Sequence, residues 1–363
     1  MSTSRRRTRP AELNRATLAR QLLLARSPAG PLDAIERLAG LQAQVPRPPY
    51  IGLWSRLAGF DAAQLHHLVH TRQAVRATMM RGTIHLMSAR DFVALRGALQ
   101  PMLSAGMRIH AKGTSLAAIT AHAKKLMPAR FEAVRAGLAK KFPKLATQAF
   151  GYAVRSHLPL VLVPTSEARW AYPGNADFFD AELWLGAPLA RESTELLVRR
   201  YLAAFGPASI KDAQAWSGLR ALGPVFEAMR SDLVVLEDAD GRELFDLPEA
   251  PRPAGDAPAP VRFLPEYDNL LLAYADHARM IDPARRPSLT SKNGIVAATF
   301  LVDGRISGTW SLARTKAAAT LTLSPFARLS KAALAALEAE GHALLRWHEP
   351  DARTFRMRVT RAR

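Results

Sequence analysis

The sequence predicts an α+β protein: tandem winged-helix domains followed by a small C-terminal β-sheet or barrel subdomain. Two observations carry most of that reading. Helical stretches are twice followed by a pair of β-prone runs, broken at Arg81-Gly82 in one case and Asp240-Gly241 in the other, the order of helices and hairpin that makes a winged helix. A proline-rich stretch, PEAPRPAGDAPAP at residues 248–260, then separates this helical part from a region of short β-prone runs around one helix. The 363 residues, 48% of them hydrophobic, suffice for two or three compact units with a sizeable core.

Residues 1–13 read as a disordered basic tail (RRRTR), and residues 14–26 as a helix with Leu18, Leu22 and Leu23 on one face. Pro31 opens a second helix at its first turn, running through Ile35 and Leu38 to Leu41. Residues 50–57 and 62–69 give two short helices, and the runs 75–80 and 83–87 a hairpin. Residues 14–89 are thus the first winged helix, with Arg72, Arg76 and Arg81 along its wing, where phosphate contact is expected. Residues 90–186 make the second. Its lysine-rich helical middle (121–145) precedes the apolar run 158–163 and then TSEARWAYPGN, a second wing with Arg169, Trp170 and Tyr172 on its return side. There Trp170 either stacks on a base or lids a small core.

The third unit, 190–247, has a helix at 196–205 stopped by Gly206-Pro207 and a helix capped by Ser209 that runs through Trp216. A helix at 223–229 then leads into strands at 233–237 and 243–247. Its many acids between residues 232 and 246 suit a scaffold better than a DNA contact. Beyond the linker, residues 261–363 carry β-prone runs at 294–302, 305–311, 319–323 and 354–359 around a helix at 331–340. Arg285, Arg286, Lys292 and Asn293 lie in a basic loop that either reaches a groove or is solvated.

Charge narrows the partner. The formal net charge is +19, and residues 72–158 alone hold nine Arg and six Lys against Asp91 and Glu132. Seven Arg face one acid in residues 1–26, and five Arg face Asp351 in the last thirteen. A field this concentrated suits a polyanion, with steep salt dependence from counterion release, although an arginine-rich solubilising surface has the same composition. Zero cysteines exclude disulfides, thiolate nucleophiles and cysteine-held zinc or iron–sulfur clusters. No apolar run approaches a membrane span and the N-terminus lacks a signal-peptide core, so a cytoplasmic protein is expected.

The densest chemistry is LQAQVPRPPYIGLWSRL, residues 41–57. Two residues apart on a helix, side chains point about 200° apart, so Gln42 and Gln44 face one site only if the helix ends here. Pro46, Pro48 and Pro49 place Gln44 in a final, unwinding turn. Paired amides can hold a water or read a base edge, but cannot take a proton as a carboxylate would. Equally, both can be solvated helix-end residues. Arg47, between prolines, suits a phosphate clamp, while Tyr50 and Trp54, four apart, either line a cleft or staple the corner. His66 and His70 have metal-ligand spacing without an HExxH pattern, and a packed or surface pair explains them as well. Glu266 and Asp268 in PEYDN can serve a cleft or cap the next helix, and no Walker-type loop supports nucleotide hydrolysis.

Together with RGTIHLMSARDF and FLPEYDNLLLAYADHARMI, this stretch resembles the winged-helix family of the AlkZ DNA glycosylases, which unhook interstrand crosslinks and excise alkylated bases. The similarity spans roughly residues 14–359. The family's Gln-aliphatic-Gln motif lies in its catalytic cleft, and Gln42, Ala43 and Gln44 match it position by position. A sister branch similar to YcaQ has Asp at the second Gln, so Gln44 puts this chain on the AlkZ side. The resemblance implies a DNA glycosylase acting on duplex DNA with alkylated or crosslinked bases. No lysine is placed by motif for a Schiff base, so a monofunctional enzyme is expected, monomeric and without metal or cofactor. Tandem winged helices would leave an open cleft for bulky lesions. The competing expectations are a non-catalytic winged-helix DNA binder, such as a regulator, and an RNA-binding module.

Overall fold

The computed structural model describes residues 6–105, 115–145, 147–191 and 193–362. The described chain is a mixed α+β protein with one six-stranded, one five-stranded and one two-stranded sheet. Residues 1–5 of the expected tail lie outside the description. Just beyond them, Arg6 O and Thr8 N hydrogen-bond Glu237, adding this stretch to the two-stranded sheet.

Helix α1 (Pro10–Arg20) starts at Pro10, four residues earlier than the apolar spacing predicts, and Glu12 reaches back to the Arg9 N–H. It ends at Arg20 because Leu22 takes a left-handed conformation. Then follow α2 (Pro31–Arg37), β1 (Leu41–Gln42), α3 (Pro48–Arg56), α4 (Ala62–His70) and the hairpin β2 (Ala74–Thr78) and β3 (Ile84–Ser88). The predicted continuation of the second helix to Leu41 is corrected: Ala39 and Gly40 both have positive φ, which ends the helix and turns the chain into a strand. A Cβ on Gly40 would lie 2.1 Å from Met87 Sδ, so only glycine makes this approach.

Next come α5 (Ala89–Leu95), α6 (Gln100–Ala105), α7 (Leu116–Lys125), β4 (Ala129–Arg130), α8 (Phe131–Lys141), α9 (Thr147–His157), β5 (Leu160–Leu162), β6 (Asp177–Asp180) and α10 (Ala181–Leu185). The single lysine-rich helix expected here is two helices, interrupted at Pro128. The return strand begins only at Asp177, so Arg169, Trp170 and Tyr172 lie in the connecting loop. All of β1 to β6 form one antiparallel sheet, ordered β1-β3-β2-β5-β6-β4, joined between β2 and β5 at Ala77 and Val161.

The third segment matches its prediction closely: α11 (Thr194–Phe205), α12 (Ile210–Ser217), α13 (Gly223–Ala228) and the hairpin β7 (Val234–Glu237) and β8 (Glu243–Asp246). Ser209 caps α12 by accepting from Asp212 N. The proline-rich stretch runs against α1, where Arg15 Nε donates to Ala257 O. Finally β9 (Arg262–Leu264), β10 (Thr299–Val302), β11 (Arg305–Arg314), β12 (Ala318–Pro325), α14 (Lys331–His348) and β13 (Thr354–Val359) give an open five-stranded sheet. Its last strand lies parallel to β12 through the α14 crossover.

The faces of the six-stranded sheet feed two cores. Leu41, Ala74 and Leu86 pack with Tyr50, Ile51 and Phe150 and with Phe263, Trp310 and Leu321 of the C-terminal sheet. Val75, Ala77 and Met87, alternating with them, pack with Phe92, Tyr201, Trp216 and Phe245. The glutamine corner lies on the edge strand where these layers meet. No helix of the described residues is long and apolar enough to cross a membrane.

A candidate active site at the glutamine corner

β1 pairs antiparallel with β3, Leu41 opposite Leu86 and Gln42 opposite His85, and the ladder continues from Ala43 N–H to Ile84 O (2.7 Å). Extended backbone changes the geometry of the motif. β1 ends at Gln42 and Gln44 lies in a bend just beyond it, so the two amides flank buried Ala43 at a strand end rather than in an unwinding helix. Gln42 is 7% exposed and Gln44 is exposed, which makes the first amide the floor of the site and the second its rim.

Donor-only partners fix both amides. Arg81 Nη2 donates to Gln42 Oε1 (2.8 Å), and Ile84 N–H donates to Gln44 Oε1 (3.3 Å). Neither guanidinium nor peptide N–H can accept, so the carbonyl ends must be the ones turned toward the Arg81 guanidinium and the Ile84 N–H. Each carbonyl keeps one lone pair, and among the described residues no protein acceptor takes either amide NH2. From the other side of the strand, Arg76 holds the backbone: Nε donates to Ala43 O (2.8 Å) and Nη2 to Gln44 O (3.1 Å). Burial lowers the pKa of Arg76, like that of Arg81, to about 10, so both remain cations at neutral pH.

The PEYDN loop clamps both flanks of the motif. Asn269 Nδ2 donates to Leu38 O (3.2 Å) and Gly40 O (2.9 Å), just before Gln42. Glu266 pairs with Arg47, just after Gln44. Between them, Asp268 forms a fully buried ion pair with Arg56 of α3: Arg56 Nη2 donates to Oδ1 (3.0 Å), Nη1 lies 2.9 Å from Oδ2, and Oδ1 also accepts from Leu270 N. His85, opposite Gln42, is buried and donates from Nδ1 to Thr83 O, so Nε2 carries the lone pair. Burial, reinforced by the Arg81 charge, pushes its pKa down to about 3, and the ring is neutral. Sequence reasoning missed Asn269, the Arg56–Asp268 pair and His85. The motif segments contain all of them, but nothing in the sequence says which strand lies opposite Gln42.

The other predicted site residues scatter. Tyr50 is buried against Trp170 (ring centroids 5.0 Å) and His66 (5.7 Å), and burial raises its hydroxyl pKa. Trp54 packs on Trp347 (5.9 Å) with Arg26 over its ring, while Trp170 joins the same cluster and His348 (5.2 Å). Arg72 is spent on Trp184, donating to its carbonyl (2.8 Å) and stacking on its ring (4.3 Å). Arg169 pairs with Glu349 (3.2 Å) and donates to His348 O. Arg286 bonds Thr290 Oγ1 (2.8 Å) and Leu271 O (3.2 Å), and Lys292 is exposed. His66 and His70 bond backbone carbonyls, and among the described residues no group of three potential ligands could hold a metal ion.

Comparison with known proteins places this corner in context. A protein-family model described as DNA glycosylase AlkZ-like matches residues 35–347, which include the corner, the hairpin and the PEYDN loop. The interstrand DNA cross-link repair glycosylase of Streptomyces sahachiroi is 24% identical over 353 residues, covering 88% of this chain and 91% of that protein. The structure of the Streptomyces sahachiroi DNA glycosylase AlkZ has the same fold, with a TM-score of 0.78 at 18% identity over 98% of this chain and 100% of that one.

Proposed function

The chain belongs to the AlkZ-like DNA glycosylase family, and from that premise we propose that it hydrolyses the N-glycosidic bond of N-alkylated purines in duplex DNA, interstrand crosslinks included. The observation that carries this reading is the pair Gln42 and Gln44, which flank buried Ala43 at the end of an edge strand, each with its carbonyl held by a donor. Its helix-helix-hairpin segments, 14–89, 90–186 and 190–247, serve as winged helices, joined by the linker 248–260 to the β-rich unit 261–363. The enzyme works as a monomer in the cytoplasm, without metal or cofactor.

Alkylation at purine N7 or N3 leaves the base cationic, so it departs with little help. As the C1′–N bond lengthens, its electron pair goes to the ring and cancels that charge, while the sugar gains oxocarbenium character. Water then adds to C1′ from the opposite face and loses its proton to bulk solvent, leaving an abasic site. Gln44 at the rim holds that water through its free carbonyl lone pair, and Gln42 on the floor orients it. A neutral pair activates water weakly, which predicts preference for cationic adducts over normal bases. Basic residues supply backbone affinity; Arg72, Arg169, Lys292 and the lysines of α7 and α8 are exposed candidates, and Arg47 and Arg286 are half-buried ones. The test is release of base from a duplex carrying one N7-methylguanine, in EDTA, with the strand probed before and after alkali. Free base with an intact, alkali-labile strand supports the reading. Tight binding without release would leave a non-catalytic DNA binder.

A further inference from the structure

Arg81 carries an observation the proposed chemistry does not use. It sits in the turn between β2 and β3 with a left-handed backbone (φ 57°), followed by Gly82 at φ 72°. A non-glycine residue in that region costs on the order of 1 kcal/mol or more, and it persists where surroundings over-determine it. Two contacts do so. One guanidinium nitrogen, Nη1, donates to the Trp216 carbonyl and the other, Nη2, to Gln42 Oε1 (2.8 Å). No carboxylate pairs with it among the described residues, although the chain contains 31 acids. A cation placed for phosphate contact would point outward, whereas this one is partly buried and spends both terminal nitrogens inside the protein.

Its second anchor comes from another part of the chain. Trp216 lies in the last turn of α12, where carbonyls lack helical partners and the helix dipole is negative, so a guanidinium there is favoured twice. Gly218 closes that helix at φ 81°, and a Cβ on it would lie 3.1 Å from Arg81 Cα, so the glycine lets the helix end abut the turn.

We propose that Arg81 is a positioning residue, which fixes the Gln42 amide with its carbonyl toward the β2–β3 turn and ties that orientation to the end of α12 through the Trp216 carbonyl. The acidic third segment thereby contributes to the reaction without touching DNA. Without the guanidinium, the buried amide can flip and exchange its acceptor for its NH2 at no steric cost. The proposal rests on the glycosylase reading, and one experiment separates the two. Single-turnover base release from the N7-methylguanine duplex, and duplex affinity against salt, are measured for wild type, Arg81→Met, Arg81→Lys, Gln42→Ala and the Arg81→Met/Gln42→Ala double variant. We expect Arg81→Met to slow release at saturating enzyme ~100-fold, with affinity unchanged and Arg81→Lys partly restored. The double variant should be no slower than Gln42→Ala alone, because the arginine acts through that amide. Multiplicative losses in the double variant overturn the proposal. So does an Arg81→Met that releases base at the wild-type rate but binds more weakly with a shallower salt slope, which would make Arg81 a phosphate contact. If Arg81→Met fails to fold, Arg81→Lys takes its place in the cycle. Wild type that releases nothing sinks the glycosylase reading and this inference with it.

Discussion

At the residue level, the proposed chemistry turns on two amides that differ in exposure and flank one buried alanine. Removing either should hurt for different reasons: Gln44→Ala loses the rim acceptor, and Gln42→Ala loses the floor and strands Arg81. Single-turnover rates should fall ~100-fold or more for each, with duplex affinity within about twofold, since neither amide carries charge. That the chain turns a corner at Gln42 and Gln44 was legible in the sequence because the proline cluster sets the stretch apart. That Gln42 sits on a strand was not, because helix termination and strand entry both satisfy the same proline pattern, and the tie was broken by the positive φ of Ala39 and Gly40. Gly40→Ala should therefore lower both melting temperature and base release, as the new Cβ strikes Met87 Sδ. An active, equally stable Gly40→Ala protein would show that the corner does not depend on this approach.

At the scale of the element, the PEYDN loop is what makes the corner rigid. Arg56 and Asp268 are each fully buried, so removing the carboxylate leaves an uncompensated buried cation. Asp268→Ala should cost about 3–5 kcal/mol of stability, read as a shifted denaturant midpoint. Asn269→Ala frees the Leu38 and Gly40 carbonyls and should reduce base release more than its smaller loss of stability would suggest. The α11–α12 pair, its caps and the β7–β8 hairpin were legible because Ser209, Gly206-Pro207 and Asp240-Gly241 are local signals. The second wing was not, because its return strand begins only at Asp177, after a loop whose aromatics fill a core shared with α3 and α14. Most arginines expected on DNA proved to be spent on carbonyls and carboxylates, a choice made by tertiary neighbours.

At the scale of the molecule, burial and charge set conditions for use. His85, His157, His277 and His348 all have pKa values held down mainly by burial, to about 3 for His85 and about 4 for His348, from 6.5. The unfolded chain therefore binds more protons below pH 6.5, and stability present above that pH is lost as pH falls toward the folded values. The melting temperature should drop between pH 7 and pH 5, and a flat profile would contradict the burial of these rings. Exposed Lys125, Lys140 and Lys141 extend the basic field away from the corner. Replacing all three by Gln should make the salt dependence of duplex binding shallower, by about one in slope for each phosphate left unneutralised, without changing release at saturating enzyme. The decisive measurement is the single-turnover rate of base release by Gln44→Ala from a duplex with one N7-methylguanine, in EDTA, beside its duplex affinity. Retained binding with a rate reduced ~100-fold or more is expected. Base release at the wild-type rate would contradict it and move the chemistry away from the glutamine corner.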